Sequence, residues 1–116
     1  GYTIIGTTPH KEADTSGEFK ITGKTALLFG TEKEGLSELA LSEADGFIKI
    51  PMVGFTESLN VSVAAAIILQ DLTHKLRKSS LNWELTEEEK RIKKLEWTKK
   101  SIKNIDKIVD RFLSDN

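Results

Sequence analysis

The chain has 116 residues, 38% apolar and 30% charged, the mix of a globular domain rather than a disordered chain. It has no cysteine, which excludes disulfide frameworks, iron–sulfur clusters, cysteine zinc sites and thiol nucleophiles, and no apolar run approaches the about 20 residues of a membrane span. The net charge of −1 hides an asymmetry: residues 1–72 carry five Lys/Arg against ten Asp/Glu, residues 73–116 twelve against eight.

In chain order, Tyr2 to Gly6 is short, apolar and β-rich, and reads as a strand. The chain starts on it at Gly1, without Met, and is expected to be a piece of a longer protein. Thr7 to Gly23 is polar and reads as an irregular crossover, with Phe19 and Ile21 available to pin it to the core. Thr25 to Gly30 is a continuous apolar run closed by glycine, as in a parallel strand buried on both faces. Thr31 to Gly35 is a turn, and Ser37 caps a short helix over Glu38 to Ser42. Gly46 to Pro51 is another strand, stopped by its proline. A second loop follows at Gly54 to Glu57, then a helix over Val61 to Lys78 that is apolar all round in its first half and is expected to be buried there. Ser58 or Asn60 would cap it. Strands alternating with crossovers and a helix make an α/β pattern.

Ser79 to Trp83 breaks that helix, and Thr86 with Glu89 forms a capping-box pattern that starts the next. Ile92, Leu95, Ile102, Ile105, Val109 and Phe112 recur at helical spacing, with Ser101 and Asn104 able to divide the tail into two helices. Trp83 and Trp97 flank this tail, where a packing or dimer contact is expected ahead of base stacking. The basic balance of the tail hints at a polyanionic partner, though a solvated helical face has the same composition. No signal-peptide pattern is visible, so the expected compartment is the cytoplasm, with no membrane partner. His10 and His74 have no second ligand at metal spacing, and no metal is expected.

Two segments imitate a phosphate loop. Gly17 to Thr25 ends in Gly-Lys-Thr, but five residues separate its glycines rather than four, and it precedes a strand instead of following one. Gly30-Thr31-Glu32-Lys33-Glu34-Gly35 has the right spacing and place, yet Leu36 stands where the lysine belongs. Glu32 and Glu34 would repel phosphate oxygens, so a ligand with positive charge and no phosphate fits better. The stretch from Ile50 to Val63 also follows a strand and leads into a helix. Ligands of open α/β sheets collect outside the carboxyl ends of strands, so the two loops could line one cleft. A helix needs one cap, and Ser58, Asn60 and Ser62 crowd the mouth of this one; they are either caps alone or caps beside a site.

Leu27-Leu28-Phe29-Gly30-Thr31-Glu32-Lys33-Glu34-Gly35-Leu36-Ser37 resembles the second motif of the SpoU family of RNA ribose methyltransferases (SPOUT superfamily). Ile50-Pro51-Met52, Gly54 and Ser58-Leu59-Asn60-Val61-Ser62-Val63-Ala64 resemble its third. The resemblance covers residues 1 to about 78, and the tail is similar to the carboxy-terminal extension of the TrmH-type tRNA guanosine 2′-O-methyltransferase branch.

That resemblance implies a parallel-sheet α/β fold with a carboxy-terminal trefoil knot, partial in this chain, over residues 1–78, followed by a helical extension over 79–116. It implies S-adenosylmethionine as cofactor, a homodimer, and RNA as substrate, most plainly a guanosine of the tRNA D-loop. Glu32, Ser58 and Asn60 match the functional polar positions. Thr8, Gly30, Thr31, Glu32, Lys33, Glu34, Ile50 and Leu59 match cofactor-contacting ones. The family's first motif, with an asparagine and the arginine that activates the ribose hydroxyl, lies upstream of where this chain begins, so the fragment alone is expected to be inactive. Ribosomal RNA as substrate, a non-catalytic RNA-binding or dimerisation module, and an unrelated nucleotide-binding domain are the alternatives.

Overall fold

A computed structural model describes residues 1–9, 12–55 and 58–115. The chain divides into two units, Gly1–Asn82 and Trp83–Asn116.

The first unit is built on four parallel strands, β1 (Thr3–Thr7), β2 (Asp14–Thr15), β3 (Thr25–Leu28) and β4 (Gly46–Lys49), in the order β2-β4-β1-β3. Helix α1 (Glu38–Glu43) joins β3 to β4, and α2 (Val61–Lys78) follows β4. Alternation along the strands sorts the side chains. Ile5 of β1 and Ile48 of β4 meet Ile68 and Leu72 of α2, and these four buried residues form the core. Full burial of one such aliphatic side chain stabilises by about 1.5–3 kcal/mol. Phe19, Ile21, Leu27, Phe29 and Ile50 pack against the core from its edge, so the crossover is pinned as expected.

Side chains supplement the sheet where its backbone pairing runs out. Asp45 N–H donates to the Ile4 carbonyl at 2.8 Å, and the Asp45 carboxylate accepts from Ile4 N–H at 2.7 Å, which extends β4 against β1 by one residue. At the other end Thr8 N–H donates to the Ile48 carbonyl at 3.1 Å.

Three features differ from the sequence expectations. The crossover contains the two-residue strand β2, too short to leave a hydrophobic period. The strand from Thr25, expected to be buried on both faces, lies at the sheet edge, and its residues are only half-buried because β1 is its one partner among the described strands. Helix α2 is buried only at Ile68 and Leu72; Val63 and Leu69 are each 47% exposed. One side of α2 lies on the sheet and no described element of the unit covers the other, so an all-round apolar pattern leaves an apolar surface bare.

Lys75 ties α2 to the crossover. Its ammonium donates to the carbonyls of Ser16, Gly17 (2.8 Å) and Phe19 (3.3 Å), and pairs with Asp71 one helical turn earlier at 3.4 Å. The same crossover is braced by Glu18, whose carboxylate accepts from the Thr15 hydroxyl at 2.7 Å. That bond, then the bond from Thr15 N–H, holds the Glu18 carboxyl below its ordinary range.

In the second unit, α3 (Glu87–Ser101) begins at a complete capping box: Thr86 accepts from Glu89 N–H, and the Glu89 carboxylate accepts from Thr86 N–H at 2.8 Å. Asn104, in the left-handed region at φ 60°, separates α3 from α4 (Ile105–Ser114) as the sequence suggested.

Replacing Lys75 by methionine keeps the aliphatic stem and removes all three loop bonds. Each hydrogen bond from a charged donor is worth about 1.5–3 kcal/mol when well formed, and part of that is lost to solvent at this half-exposed site. Urea unfolding of Lys75→Met should therefore show a loss of about 1–3 kcal/mol; an unchanged midpoint would mean that the carbonyl cradle contributes nothing.

Candidate functional site

The carboxyl ends of β1, β3 and β4 open into a cavity of about 380 Å³, within the about 300–1,000 Å³ usual for sites that hold a drug-sized ligand. Three segments and Leu41 of α1 wall it: residues 7–9 at the end of β1, 29–36 after β3, and the stretch from Ile48 through Met52, Ser58 and Leu59 into α2.

The loop after β3 crosses closely over itself. Thr31 and Gly35 exchange backbone hydrogen bonds at 2.9 and 3.0 Å, and the Thr31 hydroxyl accepts from Glu34 N–H at 3.1 Å. Gly35 closes this turn at φ +70°, a conformation glycine adopts without penalty. Gly30 is pressed against the far end of the turn: a Cβ on it would lie 2.1 Å from the carbonyl carbon of Gly35. The glycine pair that imitates a phosphate loop is thus a requirement of close backbone approach. Beneath it, a Cβ on Gly6 would come within 2.9 Å of both Leu36 and Phe47, so β1 also leaves room for the loop.

The second loop is joined to the first through Asn60. Its side-chain carbonyl accepts from Ser62 N–H at 2.8 Å and so caps α2, while its amide donates to the Glu32 carboxylate at 2.7 Å. One side chain therefore starts the helix and fixes the acidic residue of the other loop. The alternative of a cap alone does not hold for Asn60.

Of the positions expected to contact a cofactor, Thr8, Gly30, Thr31, Glu32, Lys33, Glu34, Ile50 and Leu59 all line the cavity. Ser58 lines it too, and its hydroxyl has no hydrogen-bond partner among the described residues. Asn60 reaches the cavity through Glu32. Thr56, Glu57 and His10 lie outside the described residues.

Phe29, Leu36 and Met52 belong to the two motif stretches but carry no role in the sequence reading, which misses Lys49 altogether; all four are in the wall. Lys49 ends β4 and lines the cavity, as does Lys33, so basic as well as acidic residues border it; the Lys49 charge also acts on Glu18 of the crossover. The chain places strand ends and loop in one wall, and a charge count confined to the loop leaves out the strand.

Residues 1–70 match the family model described as SpoU rRNA Methylase. The chain belongs to the SpoU methylase family. A Borreliella burgdorferi protein named tRNA (guanosine(18)-2′-O)-methyltransferase is 42% identical over 104 residues, 90% of this chain and 48% of that protein. A Thermus thermophilus protein of the same name is 49% identical over 81 residues, 70% of this chain and 42% of that one. The chain therefore spans about half the length of the curated relatives it matches. Among solved structures, the A. aeolicus TrmH/SpoU tRNA modifying enzyme superposes with a TM-score of 0.73 at 36% identity, over 89% of this chain and 54% of that one. The SpoU methyltransferase AviRb from Streptomyces viridochromogenes, solved with AdoMet, gives a TM-score of 0.62 at 33% identity, over 68% of this chain and 31% of that one.

Gly30→Ala tests the close approach. The added methyl group meets backbone, which cannot swing aside, so the 31–35 turn must open; the expected loss is about 2 kcal/mol or more in urea unfolding. Gly23→Ala, where a Cβ meets nothing within 4 Å, should stay within about 0.5 kcal/mol of the parent. Equal behaviour of the two variants would contradict the packing described.

Proposed function

We propose that this chain is the cofactor-holding part of an S-adenosylmethionine-dependent RNA methyltransferase that acts on the 2′-hydroxyl of a tRNA guanosine, of the D-loop guanosine-18 type. The observation that carries the reading is the meeting of the two motif loops on one cavity, linked by the 2.7 Å bond between Asn60 and Glu32. The relatives of that name match up to 90% of the chain, which favours tRNA over ribosomal RNA.

The wall fits this cofactor. Ile50, Leu59 and Met52 supply an apolar side suited to a purine ring. Glu32 and Glu34 are acidic partners for a sulfonium and an ammonium, and Lys33 and Lys49 are basic partners for a carboxylate, so a cavity of mixed sign suits a zwitterionic ligand better than a triphosphate. Thr8, Gly30, Thr31, Glu32, Lys33, Glu34, Ile50 and Leu59 would hold it. When bound, S-adenosylmethionine supplies an electrophilic methyl carbon. In-line attack requires the ribose hydroxyl, that carbon and the sulfur to be held nearly collinear, and orientation of this kind accounts for much of the rate. Asn60, by fixing Glu32, and Ser58, whose hydroxyl has no partner among the described residues, serve as organisers of the site. The group that takes the hydroxyl proton must come within about 3 Å of it, and in this reading it is the family's arginine motif, outside residues 1–116.

The reading extends to architecture. Residues 1–78 form the carboxy-terminal half of the methyltransferase domain, with a trefoil knot around the cofactor loops, and residues 79–116 a helical extension. The bare apolar side of α2, with Val63, Ile67 and Leu69, supports a homodimer. The proposed tRNA substrate favours a cytoplasmic location; no described helix is long and apolar enough to cross a membrane.

Calorimetric titration of the 116-residue chain checks the cofactor assignment. S-adenosylmethionine should give heat that saturates near one equivalent, and ATP should give none. Heat from ATP but not from S-adenosylmethionine would replace the reading with that of a nucleotide-binding domain.

A further inference from the structure

Trp97 lies on α3 with lysines on three sides. In a helix of 3.6 residues per turn its neighbours are the residues three and four away, here Lys93, Lys94, Lys100 and Ser101. Ile92 and Leu95, the apolar residues of the same helix, are five and two positions earlier. At about 100° per residue both fall on the opposite side. The packing contact that a tryptophan normally makes is missing: the indole is 67% exposed and has no cation–π partner among the described residues. Exposure alone does not set Trp97 apart, since α3 has no buried residue and Ile92 and Leu95 are themselves 43% and 52% exposed; its place among lysines, opposite those two residues, does.

The surrounding charge is partly uncommitted. Lys93 pairs with Glu96 at 2.8 Å, and Lys90, one turn further from Trp97, pairs with Glu87 at 2.8 Å. Lys94 and Lys100 have no ion pair among the described residues, and Lys100 acts on the Glu96 carboxylate only at a distance. Free ammonium groups around an open indole face match the two parts of an unpaired nucleotide, a phosphate and a base. Stacking on an aromatic ring with lysines along the backbone is how single-stranded segments are held. A two-fold contact centred on Trp97 would instead bring this lysine cluster against the same cluster of a second copy, at a like-charge cost.

We propose that Trp97 is a stacking platform for an unpaired RNA base, with Lys94 and Lys100 taking the adjoining phosphates. The proposal rests on the reading of the chain as part of an RNA-modifying protein, and assigns to the tail one nucleotide-binding point outside the cofactor cavity.

The test uses the 116-residue chain with two probes, a single-stranded RNA of about 12 nucleotides, within the usual site sizes, and the blunt duplex of the same sequence. Trp97→Ala should weaken single-strand binding by about 5- to 150-fold, leave the salt dependence unchanged, and affect the duplex far less. Trp97→Phe should retain most of the affinity. Lys94→Gln with Lys100→Gln should lower the slope of log affinity against log salt by about 1.4. In a Trp83→Phe background the remaining Trp97 emission should be quenched by the single strand. Unchanged affinity in Trp97→Ala, unquenched emission, or no binding of the single strand by the parent would each overturn the proposal. So would a shift from dimer to monomer in Trp97→Ala with RNA binding intact, which would assign the indole to a second copy. Parallel titration with S-adenosylmethionine separates the two claims: absent cofactor heat with intact Trp97-dependent quenching counts against the cofactor reading and supports the RNA platform.

Discussion

The site depends on one amide group. Asn60 has a carbonyl and an NH2 on a short, stiff side chain, and both are used: the first caps α2 and the second holds Glu32, 28 residues away in sequence. The bond ties two loops that border one cavity directly to each other. The cap alone could be met by serine, threonine or aspartate. An aspartate could cap but could not donate to the Glu32 carboxylate; the Asn60 amide does both, which is why Asn60 bears on the site and not only on the helix.

The loop that presents Glu32 is determined by shape. Gly30 lies against the backbone of Gly35, and Gly6 leaves space beneath Leu36. These glycines let the chain fold back over the end of the sheet, and the cavity is the space left between that fold and the start of α2. Charge is then added by residues of different origin, two glutamates and a lysine from the loop and Lys49 from the end of a strand.

Much of this was legible in the sequence because it follows from local rules. The apolar runs at Ile4–Ile5 and Ala26–Phe29, the cap at Ser37, the capping box at Thr86 and the break at Asn104 each express backbone chemistry over a few residues. The meeting of the two loops was also legible, since strand ends of a parallel sheet share one edge. Features that depend on contacts across the fold were not. The Lys75 cradle joins residues 56 to 59 apart, and nothing near Lys75 in sequence signals it. The half-burial of β3 and the bare side of α2 depend on what lies beside them, which composition does not contain. The placement of Trp97 follows from helical spacing once α3 has known limits, but its exposure does not.

The central claim is that Glu32 and Asn60 act as one unit. A double-mutant cycle with Glu32→Ala, Asn60→Ala and the double variant, read by urea unfolding, measures this directly. Asn60→Ala also removes the α2 cap, but that loss occurs with and without Glu32 and cancels in the coupling. The account predicts a coupling of about 0.5–1.5 kcal/mol. Additive losses would show that the two loops are positioned independently and that the bond does not organise the site.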